Sequence, residues 1–133
     1  MITYSLKIIS SDGIFYDDKV MALILPGIDG ETEFLAHHEE MVVAVETGAI
    51  RYQTPDEKWH EAAVGTGSAQ FANNRCTVLV DTAERPEDID KNRAKAALER
   101  AREQMRQIKS IDEYRMTQAS MARALTRLKL TNK

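Results

Sequence analysis

The sequence contains few of the residues that crosslink or stiffen a chain. It has 1 cysteine, 3 prolines and 6% aromatic residues in 133 positions. Because Cys76 stands alone, the chain cannot form an internal disulfide, which is typical of proteins in a reducing compartment. A core with so few aromatic side chains must be mainly aliphatic, and the 43% of hydrophobic residues is enough to build one.

Long apolar segments are absent as well. No run of about 18 apolar residues occurs, so the sequence predicts no membrane-spanning helix. The first 20 residues include Lys7, Asp12, Asp17 and Asp18, whose charges argue against a signal peptide. We therefore expect a cytoplasmic chain with one ordinary domain, or one small domain plus an appendage.

Residues 1–84 have the pattern of short strands joined by tight turns. Tyr4, Leu6 and Ile8 alternate with Ser5, Lys7 and Ile9, and turn residues follow at 10–13. Asn73-Asn74 suits a two-residue hairpin turn, since Asn tolerates positive φ. Further strands are predicted at 20–25, 42–46, 49–54, 59–64, 69–72 and 75–81. This half is therefore expected to be an antiparallel sandwich or barrel.

Residues 85–133 have a different composition. Between 87 and 133 there is neither glycine nor proline, and strong helix formers dominate. Asp88 is expected to cap a first helix, and a break is expected near Lys109. Ser110-Ile111-Asp112-Glu113 is a capping box that restarts a helix running to about Leu130, so the two helices should form an antiparallel hairpin. The predicted contact stripes are Ala94, Ala97, Leu98, Ala101, Met105 and Ile108 on the first helix, and Tyr114, Met121, Ala122, Leu125 and Leu128 on the second.

Charge is divided unevenly between the two halves. Residues 1–84 hold 5 Lys or Arg against 14 Asp or Glu, a net charge of −9, whereas residues 85–133 hold 13 against 7, a net charge of +6. Such asymmetry indicates two surfaces with different partners, and the C-terminal surface should attract anions.

Four helical arginines are candidates for an anion site. Arg93 and Arg100 share one helix face; Arg123 and Arg127 share another, and no carboxylate lies three or four residues from the second pair. In an antiparallel hairpin the four would converge, and guanidinium groups suit phosphate. A solvated basic face is the alternative. Arg102 and Arg106, by contrast, have Glu99 and Glu103 within reach and are expected to be surface ion pairs.

The chain resembles the epsilon subunit of bacterial F-type ATP synthase over essentially its full length. The residues that carry the resemblance include Phe15-Tyr16-Asp17-Asp18, the segment 81–90, and Arg123-Ala124-Leu125-Thr126-Arg127-Leu128. The most specific is Ile89-Asp90-Lys91-Asn92-Arg93-Ala94, which matches the family's ATP-binding signature Ile/Leu-Asp-x-x-Arg-Ala.

The resemblance implies an α+β chain in two parts. A flattened antiparallel β-sandwich of about ten strands in 1–84 would bind the gamma subunit and the c-ring. A regulatory antiparallel two-helix hairpin in 85–133 would inhibit ATP hydrolysis when extended towards the alpha and beta subunits. The resemblance also implies a noncatalytic rotor subunit that lies peripherally on the cytoplasmic face of the bacterial membrane, in a complex that couples ATP synthesis to proton or sodium transport. Neither nucleic-acid binding nor membrane insertion is implied.

The resemblance also implies a nucleotide site. ATP would bind the folded hairpin as a regulatory ligand, without hydrolysis and without a required metal. The family's contacts fall on Glu84, Asp90, Arg93, Ala94, Arg100, Arg123 and Arg127. The arginines would neutralise phosphates, while Glu84 and Asp90 would accept hydrogen bonds from the adenine amino group or orient the arginines.

Some features depart from this pattern. Residues 30–40 keep a family histidine at His38 but lack a glycine and two prolines of the family pattern. The segment His37-His38-Glu39-Glu40 has metal-ligand residue types, but neighbours in a strand point to opposite faces, so we expect no metal site.

We expect no enzyme active site. A β-sandwich with a coiled-coil tail, acting as a scaffold without nucleotide binding, is the alternative function.

Overall fold

The computed structural model describes residues 2–106 and 111–131. Ten strands form two five-stranded sheets. In spatial order, the first sheet contains β2 (Gly13–Val20), β1 (Tyr4–Ser10), β9 (Arg75–Val80), β8 (Gly67–Ala72) and β5 (Met41–Val45). The second sheet contains β10 (Ala83–Glu84), β7 (Trp59–Val64), β6 (Gly48–Gln53), β3 (Ala22–Gly27) and β4 (Gly30–Leu35). The predicted ten-stranded sandwich is confirmed.

One pair of strands departs from the antiparallel expectation. β1 and β9 run parallel, with Leu6 opposite Cys76 and Ile8 opposite Val78. The other pairs are antiparallel. A parallel pair needs a long crossover connection, and here the chain builds most of the sandwich before β9 returns beside β1. Local periodicity carries no information about such a pairing.

The core lies between the two sheets. Tyr4, Leu6 and Ile8 are fully buried, as their alternation predicts, and Cys76 is buried as well. The Tyr4 hydroxyl donates a hydrogen bond of 2.6 Å to the carbonyl oxygen of Phe34, which lies in the opposite sheet. Burial raises the pKa of this phenol well above its usual value, so it remains a neutral donor.

The strands that periodicity misses are at the edges or are very short. β2 and β4 are edge strands with mostly exposed or half-buried side chains, and β10 has 2 residues. An edge strand meets water on one side, so its alternation of apolar and polar residues is weak. The predicted hairpin turn is confirmed, because Asn73 and Asn74 have φ of 53° and 56° between β8 and β9.

The segment that departs from the family pattern is packed onto the core. His37 has φ of 63°, and its backbone N–H donates to Asn74 Oδ1 at 2.8 Å. The His38 ring lies with its centroid 4.8 Å from Phe34 and 5.6 Å from Phe71. Position 38 is therefore an aromatic packing position. Within the described residues, no group of three or more His, Cys, Asp or Glu is arranged to hold a metal ion.

Two helices follow the sandwich. A 3₁₀ turn at Pro86–Asp88 leads into α1 (Lys91–Arg106), and α2 spans Ile111–Thr131. The predicted break near Lys109 and the capping residue Ser110 lie outside the described residues. Neither described helix is long and apolar enough to cross a membrane.

The buried helix positions agree only in part with the predicted stripes. Ala94, Leu98 and Ala101 of α1 are buried, as predicted, while Ile108 lies outside the described residues. On α2 the prediction is wrong at Tyr114 and Leu125, which are exposed. The buried α2 residues are instead Thr117, Ala124 and Leu130. The error arises because α2 contacts both α1 and the second sheet, so one stripe of large apolar residues does not describe it.

α2 is the helix that docks on the sandwich. It lies against β6, β7 and the 3₁₀ turn, whereas α1 packs mainly on α2. Leu130, Ile89 and Ala63 form a small buried cluster with half-buried Ala49 at its border. This cluster fixes the end of α2 beside the beginning of α1, so the helices are antiparallel.

The hydrogen bond between the sheets gives a testable prediction. We expect Tyr4→Phe to lower the free energy of unfolding by about 1–3 kcal/mol, because it leaves the Phe34 carbonyl without this donor in a dry core. Urea denaturation measures the change. Tyr16→Phe is the matched control, since its hydroxyl bonds the Lys19 carbonyl at an exposed position, and we expect a change within about 0.5 kcal/mol. Equal effects for both variants would contradict the interpretation.

Candidate functional site

A cleft of about 500 Å³ lies where the end of the sandwich meets both helices. β10 and the 3₁₀ turn form one side of the cleft, and the first turns of α1 form another. Arg127 is the lining residue from α2. The full lining is Asp12, Thr82, Ala83, Glu84, Asp88, Ile89, Asp90, Arg93, Ala94, Ala97, Arg100 and Arg127. Six of the seven residues that the sequence singled out therefore share one cleft: Glu84, Asp90, Arg93, Ala94, Arg100 and Arg127.

The motif Ile-Asp-x-x-Arg-Ala builds the beginning of α1. Asp90 precedes the helix, and its Oδ1 accepts a hydrogen bond of 3.1 Å from the backbone N–H of Arg93. The Asp90 carbonyl accepts from the N–H of Ala94 at 2.9 Å. Asp90 is therefore the N-cap of α1. Ile89 on one side and Ala94 on the other are buried, which anchors the turn and leaves the Arg93 side chain facing the cleft.

The expectation that Asp88 caps this helix is wrong. Asp88 ends the 3₁₀ turn, and Ile89 then adopts an extended conformation with φ of −87° and ψ of 123°. That extended residue separates the turn from α1, so the cap moves to Asp90. The Asp88 side chain lines the cleft instead.

Arg93 and Arg100 are exposed to the cleft and unpaired. Throughout 2–106 and 111–131 neither guanidinium has an ion-pair or hydrogen-bond partner. Arg102 and Arg106 differ from them, since they pair with Glu99 at 3.2 Å and Glu103 at 2.9 Å as predicted. The arginines of α1 thus divide into a surface set with carboxylate partners and a cleft set that has none within the described part of the chain.

Arg127 connects α2 to the sandwich through Glu84 of β10. Its Nε donates to Glu84 Oε1 at 2.8 Å, and its Nη2 donates to the same oxygen. The two side chains are 29% and 30% exposed. Among the described residues, this is the one ion pair between a helix and a strand.

Arg123 lies beside the cleft rather than in it. It lines a small neighbouring pocket of about 10 Å³, together with Glu84, Thr126 and Arg127. Its Nη2 donates to Ser120 Oγ at 3.1 Å, which holds the side chain along its own helix. The four arginines therefore lie at one end of the hairpin, with three on the cleft and the fourth one pocket away.

Sequence reasoning missed Asp12 and Thr82 as cleft residues. Asp12 lies in the turn between β1 and β2, which is tied to the end of β9 by Ser11. The Ser11 N–H and Oγ donate to the Asp81 carbonyl at 3.2 and 2.7 Å. Because this contact joins positions 70 residues apart, no local pattern reveals it. The cleft consequently has carboxylates from Asp12, Asp88 and Asp90, in addition to Glu84, beside its arginines.

The arrangement suits a ligand with an anionic part. Two unpaired guanidinium groups on one helix and a third from the other helix provide several charge-assisted donors. The adjacent carboxylates provide acceptors for hydroxyl or amino groups. The cleft therefore has the chemistry to bind a polyanion that also carries hydrogen-bond donors.

Comparison with known proteins identifies relatives for both parts of the chain. Residues 3–86 match the family described as ATP synthase, delta/epsilon chain, beta-sandwich domain, and residues 87–132 match its long alpha-helix domain. The ATP synthase epsilon chain of Caldicellulosiruptor bescii is 39% identical over 130 residues, which is 98% of this chain and 94% of the relative. The epsilon chain of Ruminiclostridium cellulolyticum is 39% identical over 133 residues, with coverage of 100% and 98%.

Solved structures have the same fold. A chain in the Euglena gracilis mitochondrial ATP synthase, imaged as OSCP/F1/c-ring in rotational state 1, superposes with a TM-score of 0.80 at 20% identity, covering 92% of this chain and 77% of that one. A chain in the Tetrahymena thermophila mitochondrial ATP synthase central stalk and c-ring gives 0.71 at 7% identity, covering 96% and 95%. At these identities the likeness concerns the fold.

The identity of the N-cap gives the second prediction. We expect Asp90→Ala to lower the free energy of unfolding by about 1 kcal/mol, because the Arg93 N–H loses its acceptor. Amide hydrogen exchange should show faster exchange at residues 92–94. Asp88→Ala is the matched control, since it removes a neighbouring carboxylate that does not cap α1. An Asp88 variant that opens the first turn as much as the Asp90 variant would contradict the assignment.

Proposed function

This chain belongs to the ATP synthase delta/epsilon chain family, and we propose that it works as a noncatalytic central-stalk subunit of a bacterial F-type ATP synthase. Two kinds of observation support this role. Both structural parts match the family, and epsilon chains with 39% identity extend over nearly the same length. The proposed partners are the gamma subunit and the c-ring, which the sandwich would join, at the periphery of the cytoplasmic membrane face.

The proposed regulatory ligand is ATP. The observation that carries this proposal is the cleft itself, which is lined by Arg93 and Arg100 of α1 and by Arg127 of α2. Arg93 and Arg100 have no ion-pair partner among the described residues. A triphosphate has enough negative charge to engage all three, at about 1.5–3 kcal/mol for each charged hydrogen bond. The cleft carboxylates would accept hydrogen bonds from the base or the sugar. Because arginines can neutralise the phosphates, we expect no required metal. We expect no hydrolysis, since the sequence has no Walker loop.

Binding of this kind would regulate the helices. A ligand shifts a conformational equilibrium only when it binds one state better than the other. The cleft contains residues from β10, α1 and α2, so it exists as a unit only while the hairpin is docked on the sandwich. ATP would therefore favour the docked state and oppose an extended state that reaches the alpha and beta subunits and inhibits hydrolysis.

Calorimetric titration with ATP tests the site. We expect the isolated chain to bind ATP, and we expect Arg93→Ala and Arg127→Ala each to weaken binding about 10- to 100-fold through the loss of charge-assisted hydrogen bonds. Binding should persist in EDTA.

Arg102→Ala is the control for this titration. It removes the same type of side chain from the same helix, but Arg102 is paired with Glu99 away from the cleft. We expect its affinity to remain within about twofold of the unchanged chain. Equal affinity in all of the variants would exclude this cleft as the binding site, and no binding by the unchanged chain would exclude ATP regulation through it.

Copurification tests the stalk role independently of the nucleotide. A tagged copy expressed with the remaining synthase subunits should isolate gamma and the c-ring together with alpha and beta. A variant truncated after residue 84 separates the two parts, and we expect it to retain gamma, since the sandwich is the proposed binding part. Recovery of the tagged chain without any synthase subunit would contradict the proposal and favour the scaffold alternative.

A further inference from the structure

We propose that the Glu84 carboxylate is a built-in competitor for the phosphates of the nucleotide. It holds Arg127 when no ligand is bound, and it yields Arg127 to a triphosphate. This inference rests on the proposed function, since it concerns the same cleft, and it adds a statement of how the site resists weak anions.

The geometry of Arg127 is the first observation. Both of its hydrogen bonds go to one oxygen, Glu84 Oε1, from Nε and Nη2. These two groups form an edge with which a guanidinium makes paired bonds to a carboxylate or a phosphate. A phosphate that approaches Arg127 in the cleft therefore meets a cation that is already neutralised along that edge.

The contrast with the other cleft arginines is the second observation. Arg93 and Arg100 have no carboxylate partner within the described part of the chain, although Asp12 and Asp88 line the same cleft. The pairing of Arg127 is thus selective. It also joins two structural parts, because Glu84 belongs to β10 and Arg127 belongs to α2.

Exposure is the third observation, and it makes the exchange feasible. With 29% and 30% of the side chains accessible, the pair can open without leaving a charge in a dry interior. Glu84 regains water when Arg127 turns to a phosphate. The phosphates can then connect Arg127 with Arg93 and Arg100, so docking of α2 is supported by Glu84 in one state and by the ligand in the other.

The consequence is a threshold for binding. A ligand must interact with Arg127 more favourably than Glu84 does. A triphosphate meets this condition better than a single phosphate, because it also engages Arg93 and Arg100. Glu84 would weaken the binding of phosphate groups at Arg127 while it stabilises the docked hairpin without a ligand. Removal of its charge should therefore change binding and ligand-free stability in opposite directions.

Titration of Glu84→Gln with inorganic tripolyphosphate tests the exchange. This probe has no adenine, so any contact of Glu84 with the base does not enter the measurement. We expect the variant to bind tripolyphosphate up to about fivefold more tightly, the upper end of what an exposed or partly exposed ion pair contributes. In the absence of ligand its melting temperature should fall by about 1–4 °C, because α2 loses its ion pair to the sandwich.

Three controls separate competition from general charge effects. Asp12→Asn removes one negative charge from the same cleft without touching Arg127, so it should raise the affinity less and leave the melting temperature unchanged. Glu99→Gln breaks an arginine pair elsewhere on α1 and should leave the affinity unchanged. In an Arg127→Ala background, Glu84→Gln should raise the affinity no more than Asp12→Asn does.

The outcomes distinguish the two proposals. If the unchanged chain binds ATP and tripolyphosphate but Glu84→Gln binds tripolyphosphate equally or more weakly, or only as tightly as Asp12→Asn, the competitor role is wrong and the nucleotide site stands. If the unchanged chain binds neither compound, the nucleotide site is wrong and the competitor role fails with it.

Discussion

The docking of α2 on the second sheet is the contact on which the candidate site depends. It places Arg127 beside β10 and beside the first turns of α1, and without it the cleft has only one arginine-bearing wall. The apolar part of this contact is small, since Leu130 meets Ile89 and two alanines, Ala63 and Ala49. Burial of groups of this size contributes about 0.8 kcal/mol per methylene. A ligand at about 100 times its Kd would add about 2.7 kcal/mol to the stability of the docked state, which is large beside so small an apolar contact.

The proposed ligand site and the docking surface overlap. Ile89 packs under Leu130, while its neighbour Asp90 caps the helix that carries Arg93 and Arg100. Glu84 contacts Arg127 at the same end of α2. Any change in the charge around Arg127 is therefore also a change in how firmly α2 is held. In the proposed function, this overlap would couple ligand binding to the docking of α2 without a separate transmission path.

Much of this architecture could be predicted from the sequence, because the informative patterns are local. Alternation at Tyr4, Leu6 and Ile8 identifies a strand with one buried face. Asn73-Asn74 identifies the hairpin turn between β8 and β9. The parallel pairing of β1 with β9 has no local signature, since the two strands are adjacent in the sheet but far apart in the sequence. The predicted α2 stripe is wrong at Tyr114 and Leu125, because a helix that packs on two neighbours buries small residues such as Ala124.

The residues of the candidate site also divide into those that a local sequence pattern predicts and those that only the fold brings together. The spacing of Asp90 and Arg93 follows from a cap that accepts an amide three residues later, so a short motif contains that geometry. The sequence predicts the cap at Asp88 instead of Asp90, because the extended conformation of Ile89 is not evident from composition. Asp12 lines the cleft because its neighbour Ser11 bonds Asp81, which lies 70 positions later in the sequence. Glu84 and Arg127 are 43 positions apart. Tertiary contacts at such separations need the fold.

In the proposed function, ATP binds the docked arrangement of the helices in preference to others. The distance between α2 and the sandwich tests this preference. Double electron–electron resonance measures it between spin labels at Gln118→Cys and Gln70→Cys, in a Cys76→Ala background that removes the chain's own cysteine. Both labelled positions are exposed. We expect ATP to narrow the distance distribution towards the docked value, and we expect this effect to be lost with Arg93→Ala. A distribution that saturating, calorimetrically verified ATP leaves unchanged, although undocked states are populated without it, would contradict the claim.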